Sequence, residues 1–352
     1  MNQNVWMAPP PPGVSPAQHV RSGGRSWFHV LWVGILLFIV ATVIMYATGN
    51  PNLYPTVILI GNFLVPIVFV TFLYDHQHLS LLSTETIARS FGIGGILGVL
   101  GASVLEALLI TAPTSPNQGL SLGSAMLVGL IEEGCKIVAV IFLSRKMRHT
   151  TMMDGLLLGA AVGMGFAALE STGYAFTALL TSRTLTASII STILRGVFAP
   201  FGHGVWTGIL GAVLFRESGP RHFRIDIPVI LTYLLVSILH GFWDGLPSTI
   251  GLFVVVPTGF PISVVTIVLA IIGIVILIVM YRRALHQRIQ QAQYAQTQAL
   301  SNPMGYQQMG QQMGYPQAGY PGYPPTGNAP TYDPIDTRVP PPPPSQPPYS
   351  PR

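Results

Sequence analysis

Cysteine and charge are both scarce in this chain. Cys135 is the one cysteine in 352 residues, which excludes an intramolecular disulfide and any metal knuckle of paired cysteines. Only 8% of the residues are Asp, Glu, Lys or Arg, where a soluble domain carries roughly a quarter, so the composition is that of a membrane protein. The net charge of +5 is small, and no nucleic-acid partner is expected from it. Two intramembrane hydrolase signatures are missing as well. No HExxH supplies the usual paired-histidine zinc helix, and no GxGD supplies an aspartyl site.

What is present is long apolar sequence. Eight runs, approximately 27–47, 55–74, 91–111, 120–143, 153–180, 186–215, 228–247 and 262–281, reach the length of about 20 residues that a helix needs to cross the hydrocarbon core. Only helices or closed barrels satisfy their backbone there, and runs this long are helical. The first run is too long for a signal peptide and seven more follow it, so it reads as a retained span. The expected fold is all-α, a polytopic membrane protein with about eight transmembrane helices. Loop charge orients it. Arg21, Arg25, Arg89, Arg145, Lys146, Arg148, Arg216, Arg221, Arg224, Arg282, Arg283 and Arg288 fall on one side, and Arg183 alone on the other. The positive-inside rule therefore puts both termini in the cytoplasm. The expected location is a plasma (inner) membrane.

The ends differ in character. Residues 1–26 read as a disordered, proline-rich arm and 27–283 as the membrane domain. Residues 284–352 read as a tail rich in Gln, Gly, Pro and Tyr, which lacks the apolar area to fold. The tail is either a docking segment for a cytoplasmic partner or a solvated spacer.

Ionisable groups inside the apolar runs are costly, so each is a functional hypothesis by default. Here they are Glu106, Glu132, Glu133, Lys136, Glu170, Arg195, His203, His240 and Asp244. Counted at about 1.5 Å per residue from the cytoplasmic end of each span, Glu132, Glu133, His203, His240, Glu170 and Asp244 fall about 16 to 25 Å deep. Four helices meeting there would enclose one polar chamber. Glu132 and Lys136, Phe166 and Glu170, and His240 and Asp244 are each four apart, so each pair shares a helix face. Adjacent carboxylates repel, and burial disfavours their ionisation, which suits one of Glu132 and Glu133 to act as a base. Glu106 and Arg195 are expected to form a structural ion pair. Asp154 is expected to stay hydrated at the membrane boundary, and His29, His76 and His78 to be interfacial or solvated. Cys135 and the glycines at 155, 159, 163, 165, 202, 204, 208 and 211 are expected to serve packing.

Carboxylates and imidazoles suit activation of water for attack on a carbonyl, either directly or through a metal. Glu133, Glu170, His203 and His240 are the candidate ligands, and zinc accepts such a set. The spacing by itself leaves the metal open.

The ordered motifs Glu132-Glu133-x-x-Lys136, Phe166-x-x-x-Glu170, "APFGHGVWTGILG" around His203, and "HGFWDG" with His240 and Asp244 resemble the PrsW family of intramembrane proteases. That family is related to CAAX-prenyl endopeptidases and bacteriocin-processing membrane proteins. The resemblance covers about residues 120–247. It implies a peptidase, glutamic or metallo in type, that cleaves membrane-tethered proteins such as anti-sigma-factor-like regulators. In it, Glu132 or Glu133 activates water, and Glu170 and His203 complete the water or metal site. His240 and Asp244 steady the oxyanion or the metal shell, and Lys136 and Phe166 support the site. The wider group more often has His at the position of Glu170 and Asn at that of Asp244. Two competing readings are a proton-coupled transporter, which also buries such groups, and an inactive relative serving as a membrane scaffold.

Overall fold

The computed structural model describes residues 24–76, 80, 82–111, 120–147, 151–255 and 261–301. The arm before residue 24, the tail after 301, His78 and Arg148 lie outside the described residues. The eight apolar runs correspond to eight helical stretches. They are α1 (Ser26–Thr48), α2 (Tyr54–Asp75), a bent stretch, α5 (Leu122–Ser144), α6 (Met152–Ser182), α7 (Leu185–Glu217), α8 (Ile227–Ile250) and α9 (Val264–Ser301). The bent stretch joins α3 (Thr84–Arg89) through a π-helical turn, Ser90–Gly94, to α4 (Gly95–Leu109). The chain is an all-α polytopic membrane protein. Seven helical stretches are long and apolar enough to cross a membrane. The eighth, α5, has 23 residues and carries Glu132, Glu133 and Lys136 at its middle.

Two features depart from the sequence reading. Helix α9 continues to Ser301, so the boundary placed at 284 falls inside a helix. Its extension is rich in Gln and Ala, both strong helix formers, and Gln287 Oε1 accepts from the Met152 backbone N–H at 3.3 Å. Between α8 and α9 the chain forms a short antiparallel pair, β1 (Phe253–Val255) on β2 (Pro261–Ser263), with Val254 opposite Ile262.

Helix starts follow capping chemistry. Ser121, Thr151 and Thr184 accept from the backbone N–H groups of Ser124, Asp154 and Ala187 at the heads of α5, α6 and α7. Residues 119–123, GLSLG, happen to have the Gly-x-Ser-x-Gly spacing of a serine-hydrolase elbow, but Ser121 there is a helix cap.

Helices α6 and α7 form the centre. In their apolar stretches 94% and 83% of residues are buried, against 6% in α1, whose outer face shows Leu36, Val43 and Trp32 to lipid. The α6–α7 contact is made by glycine. A Cβ on Gly155 would lie 2.3 Å from Gly211 O, one on Gly159 2.3 Å from Thr207 O, and one on Gly163 2.2 Å from His203 O. No side chain fits in those gaps, so the two backbones touch. The same device draws α5 onto α8, where a Cβ on Gly129 would meet Ser237 O at 2.3 Å. It also draws the π-helical turn onto α6, where a Cβ on Gly165 would meet Phe91 O at 1.9 Å. The glycines at 202 and 204 face Trp206 and Met164 side chains instead.

Candidate active site

These close approaches bring one face each of α5, α6, α7 and α8 together. Glu132, Glu133 and Lys136 come from α5, Phe166 and Glu170 from α6, His203 from α7, and His240 and Asp244 from α8. All eight belong to a single connected cluster.

Lys136 is its hub. The side chain is fully buried, and Nζ donates to Glu132 Oε2 at 3.0 Å, Glu133 Oε1 at 2.8 Å and His203 Nδ1 at 2.7 Å. An ammonium has three protons, and this one spends them all. The Phe166 ring lies 3.9 Å beneath it, a favourable place for a cation in a dry interior. Exchanging Lys136 for Met would leave two buried carboxylates without their cation, and breaking a buried ion pair in this way costs about 3–5 kcal/mol. Lys136→Met is expected to lower the melting temperature sharply in detergent. A melting curve matching the wild type would contradict the hub role.

The adjacent carboxylates have different surroundings. Glu133 is fully buried and saturated: Oε1 accepts from Lys136 and from His240 Nδ1 at 3.1 Å, and Oε2 accepts from Thr207 Oγ1 at 3.1 Å. Glu132 turns Oε2 toward His203 Nδ1 at 3.7 Å and His240 Nε2 at 3.4 Å. None of these contacts uses Glu132 Oε1. Beyond His203, Nε2 donates to Glu170 Oε2 at 3.0 Å, and that oxygen also accepts from Arg195 Nη2 at 2.6 Å. The side chains of Glu170, Asp244 and Arg195 are 16%, 22% and 23% exposed, while those of Glu133 and His240 are at most 1% exposed. The cluster is therefore sealed at Glu133 and open at Glu170, Asp244 and Arg195.

The network dictates both histidine tautomers. Lys136 gives a proton to His203 Nδ1, so the ring's own proton sits on Nε2, facing Glu170. Glu133 only accepts, so His240 Nδ1 carries a proton. In the neutral ring His240 Nε2 is then a bare lone pair. It lies 3.4 Å from Glu132 Oε2 and 3.4 Å from Asp244 Oδ2, buried and without a hydrogen-bond partner among the described residues. Acceptors aimed at one another in this way call for a cation between them.

Glu132, His203 and His240 together offer one ligand atom each, all within 4.8 Å of one another. Two ligands about 2.0–2.2 Å from a tetrahedral zinc are about 3.3–3.6 Å apart, close to the Glu132 spacings. By donor type and spacing the residues fit a divalent ion, which His203 would bind through Nδ1 in place of the hydrogen bond it accepts from Lys136. The set is not the one expected. Glu132 belongs to it, whereas Glu133 is taken up by Lys136, Thr207 and His240, and Glu170 by Arg195 and His203. The register of α5 against α8 decides this, because it turns Glu133 to the inner nitrogen of His240 and Glu132 to the outer one.

The expected Glu106–Arg195 pair does not form. Arg195 is bonded to Glu170, and Glu106 Oε1 has no hydrogen-bond partner among the described residues. The reason is that α6 lies along α7, while α4 packs on α5 and α6. Asp154 is buried, at 2% exposed, instead of hydrated. It sits in the first turn of α6, where the helix dipole favours a carboxylate. His29 is exposed, and His76 is half-buried with Nδ1 2.8 Å from Phe72 O. Cys135 packs beside Ala102 and Ile131, as expected.

Three neighbours of the site escape the sequence reading, Thr207, Trp206 and Tyr174, and Arg195 has the wrong partner there. Trp206 is fully buried, its ring 4.8 Å from that of His240. Arg195 lies over the Tyr174 ring at 3.8 Å. Helical spacing carried a signal for two of the three. Thr207 is four after His203, and Tyr174 four after Glu170.

Comparison with known proteins bears on this cluster. The family model for the PrsW family intramembrane metalloprotease matches residues 83–280. A protein named Protease PrsW from Clostridioides difficile (strain 630) is 28% identical over 160 residues, 44% of this chain and 64% of that protein. Another Protease PrsW, from Shouchella clausii (strain KSM-K16), is 26% identical over 170 residues, 48% of this chain and 73% of that protein. The chain thus spans somewhat under two thirds of the length of the first. No solved structure matches.

Proposed function

The chain belongs to the PrsW intramembrane metalloprotease family, and on that premise we propose that it hydrolyses peptide bonds of membrane-tethered proteins within or beside the bilayer. The observation that carries this reading is the convergence of Glu132, His203 and His240 on one space, with Glu133, Lys136, Thr207 and Glu170 around them held in place by hydrogen bonds.

Each side chain has a distinct part in the proposed reaction. Glu132 is the base, since its Oε1 is left over by the contacts of Oε2 and takes a proton from water. Glu133 fixes His240 and Lys136, and Thr207 fixes Glu133. Glu170 fixes the tautomer of His203, in the way a carboxylate behind a ligand histidine orients it. Asp244 faces the outer nitrogen of His240. Glu132 through Oε2, His240 through Nε2, and His203 through Nδ1 in place of its bond from Lys136 would hold a divalent ion. When bound, such an ion supplies Lewis acidity that makes water a stronger acid and polarises the carbonyl. Metal removal is expected to reveal this set: 1,10-phenanthroline abolishes cleavage by the purified enzyme and zinc restores it. Full activity in a preparation shown metal-free by elemental analysis would reject the ion.

Of the finer parts of the reading, the orientation rests on the chain's charge pattern and the others on the ordered motifs and the family they resemble. Both termini are in the cytoplasm, the catalytic core spans about 120–247, and the membrane is the plasma membrane. Substrates are membrane-tethered proteins, such as anti-sigma-factor-like regulators. The proposal as a whole is tested by mass spectrometry of membrane-protein fragments in cells making the wild type and cells making His240→Ala. Fragments present only with the wild type are expected, and they would name the substrate. Identical fragment sets, with both proteins equally abundant, would overturn the protease reading.

A further inference from the structure

We propose that Arg195, held against Tyr174, is the hydrogen-bond donor that receives the carbonyl oxygen of the bond being cleaved. This inference rests on the protease reading above and adds a catalytic residue to it.

The argument is a census of donors. A substrate segment that unwinds inside a bilayer frees backbone N–H and C=O groups that have no water to bind, so the site must supply partners for both. Acceptors for N–H groups are plentiful in the carboxylates of Glu132, Glu170 and Asp244. Donors for a carbonyl are nearly exhausted on the open side; Trp206 Nε1 also has no partner among the described residues, but it is fully buried and faces Gly273 of α9. Lys136 has spent its three protons on Glu132, Glu133 and His203. His203 gives its proton to Glu170, His240 gives its Nδ1 proton to Glu133, and Thr207 gives its own to Glu133.

Arg195 differs. Of its five N–H groups, one on Nη2 serves Glu170 at 2.6 Å, while Nε is buried and neither Nε nor Nη1 has a partner among the described residues. The side chain is 23% exposed, on the open side of the cluster beside Glu170 and Asp244. Its placement is rigid. Glu170 grips one edge, and the Tyr174 ring lies 3.8 Å from the guanidinium carbon. A donor held still before the reaction is what stabilises developing charge best. The same Glu170 oxygen that holds Arg195 holds His203, so the donor and the imidazole are tied to one atom.

In the step, the water oxygen adds to the carbonyl carbon as its proton passes to Glu132. The π electrons of the carbonyl move onto oxygen, which the Arg195 N–H holds. Collapse re-forms the carbonyl, breaks the C–N bond, and sends the proton from Glu132 out on the amine. One water is consumed, and one acid and one amine are released.

The test reconstitutes the full chain in phosphatidylethanolamine/phosphatidylglycerol liposomes with a panel of quenched-fluorescent single-span peptides. Wild type, Arg195→Lys, Arg195→Gln and Glu132→Gln are compared by kcat, KM and melting temperature. Arg195→Lys keeps a positive charge for Glu170 but lacks the planar fork that serves two oxygens. The expected result is a fall in kcat of about 10²–10³-fold, as for loss of one oxyanion donor, with KM changed by less than about threefold and the melting temperature of Arg195→Lys close to the wild type. A wild-type kcat in Arg195→Lys would overturn the inference and leave Arg195 as the counter-ion of Glu170. A kcat that falls only in step with the melting temperature in both Arg195 variants would overturn it equally. If wild type and Glu132→Gln are alike inactive on every peptide, the protease reading fails first and this inference falls with it.

Discussion

Glu132→Gln stops cleavage without unfolding the protein. A positioned general base contributes about 10²–10⁴-fold to a rate, and an amide of nearly the same shape cannot take the proton. The substitution leaves the packing intact, since glutamine still offers an oxygen to Lys136. The melting temperature is therefore expected to stay within about 3 °C of the wild type, the shift that about 1 kcal/mol produces in a protein of this size. Glu133→Gln makes the contrast. Glu133 accepts from Lys136, His240 and Thr207 together, and an amide oxygen cannot replace both carboxylate oxygens. Activity and melting temperature are expected to fall together there. Kinetics and thermal unfolding of the two variants side by side separate the roles. Equal activity in Glu132→Gln and the wild type would remove Glu132 as the base.

Gly163→Ala is expected to damage the site from a distance. A Cβ at 163 would lie 2.2 Å from the carbonyl oxygen of His203, so one methyl group must push α6 and α7 apart. Such overpacking costs about 1–3 kcal/mol. The catalytic effect is larger than the stability effect, because Glu170 rides on α6 and His203 on α7, and their 3.0 Å contact spans the displaced interface. A misplacement of about 1 Å can cost about 100-fold in rate. Gly173→Ala is the control, on the same helix with nothing within 4 Å of the added carbon. Loss of cleavage in Gly163→Ala alone, measured at matched expression, supports the glycine contact as the element that sets the site. Equal rates in the two variants would refute it.

These two expectations draw on different kinds of information. The carboxylates stand out in the bare sequence because an ionisable group in an apolar run is costly and therefore conspicuous, and because four-residue spacing puts Glu132 with Lys136 and His240 with Asp244. The helical architecture is legible for the same reason: a chain with 8% charged residues and runs of twenty apolar ones can satisfy its backbone only as membrane helices. The glycines at 155, 159 and 163 advertise close packing through their four-residue repeat.

The division of labour between Glu132 and Glu133 is not legible there, nor is the partner of Arg195. Helix periodicity says that neighbouring residues point about 100° apart, but the angle at which α5 meets α8 decides which of them faces the outer nitrogen of His240. Depth alone pairs Arg195 with Glu106, and the lateral order of the helices gives it to Glu170. Composition and spacing along the chain thus determined what the helices are and which faces are polar, since those depend on local geometry and the cost of charge in lipid. Which polar atoms meet was decided only by the packing of one helix on another, because those distances depend on the close approach of backbones far apart in sequence.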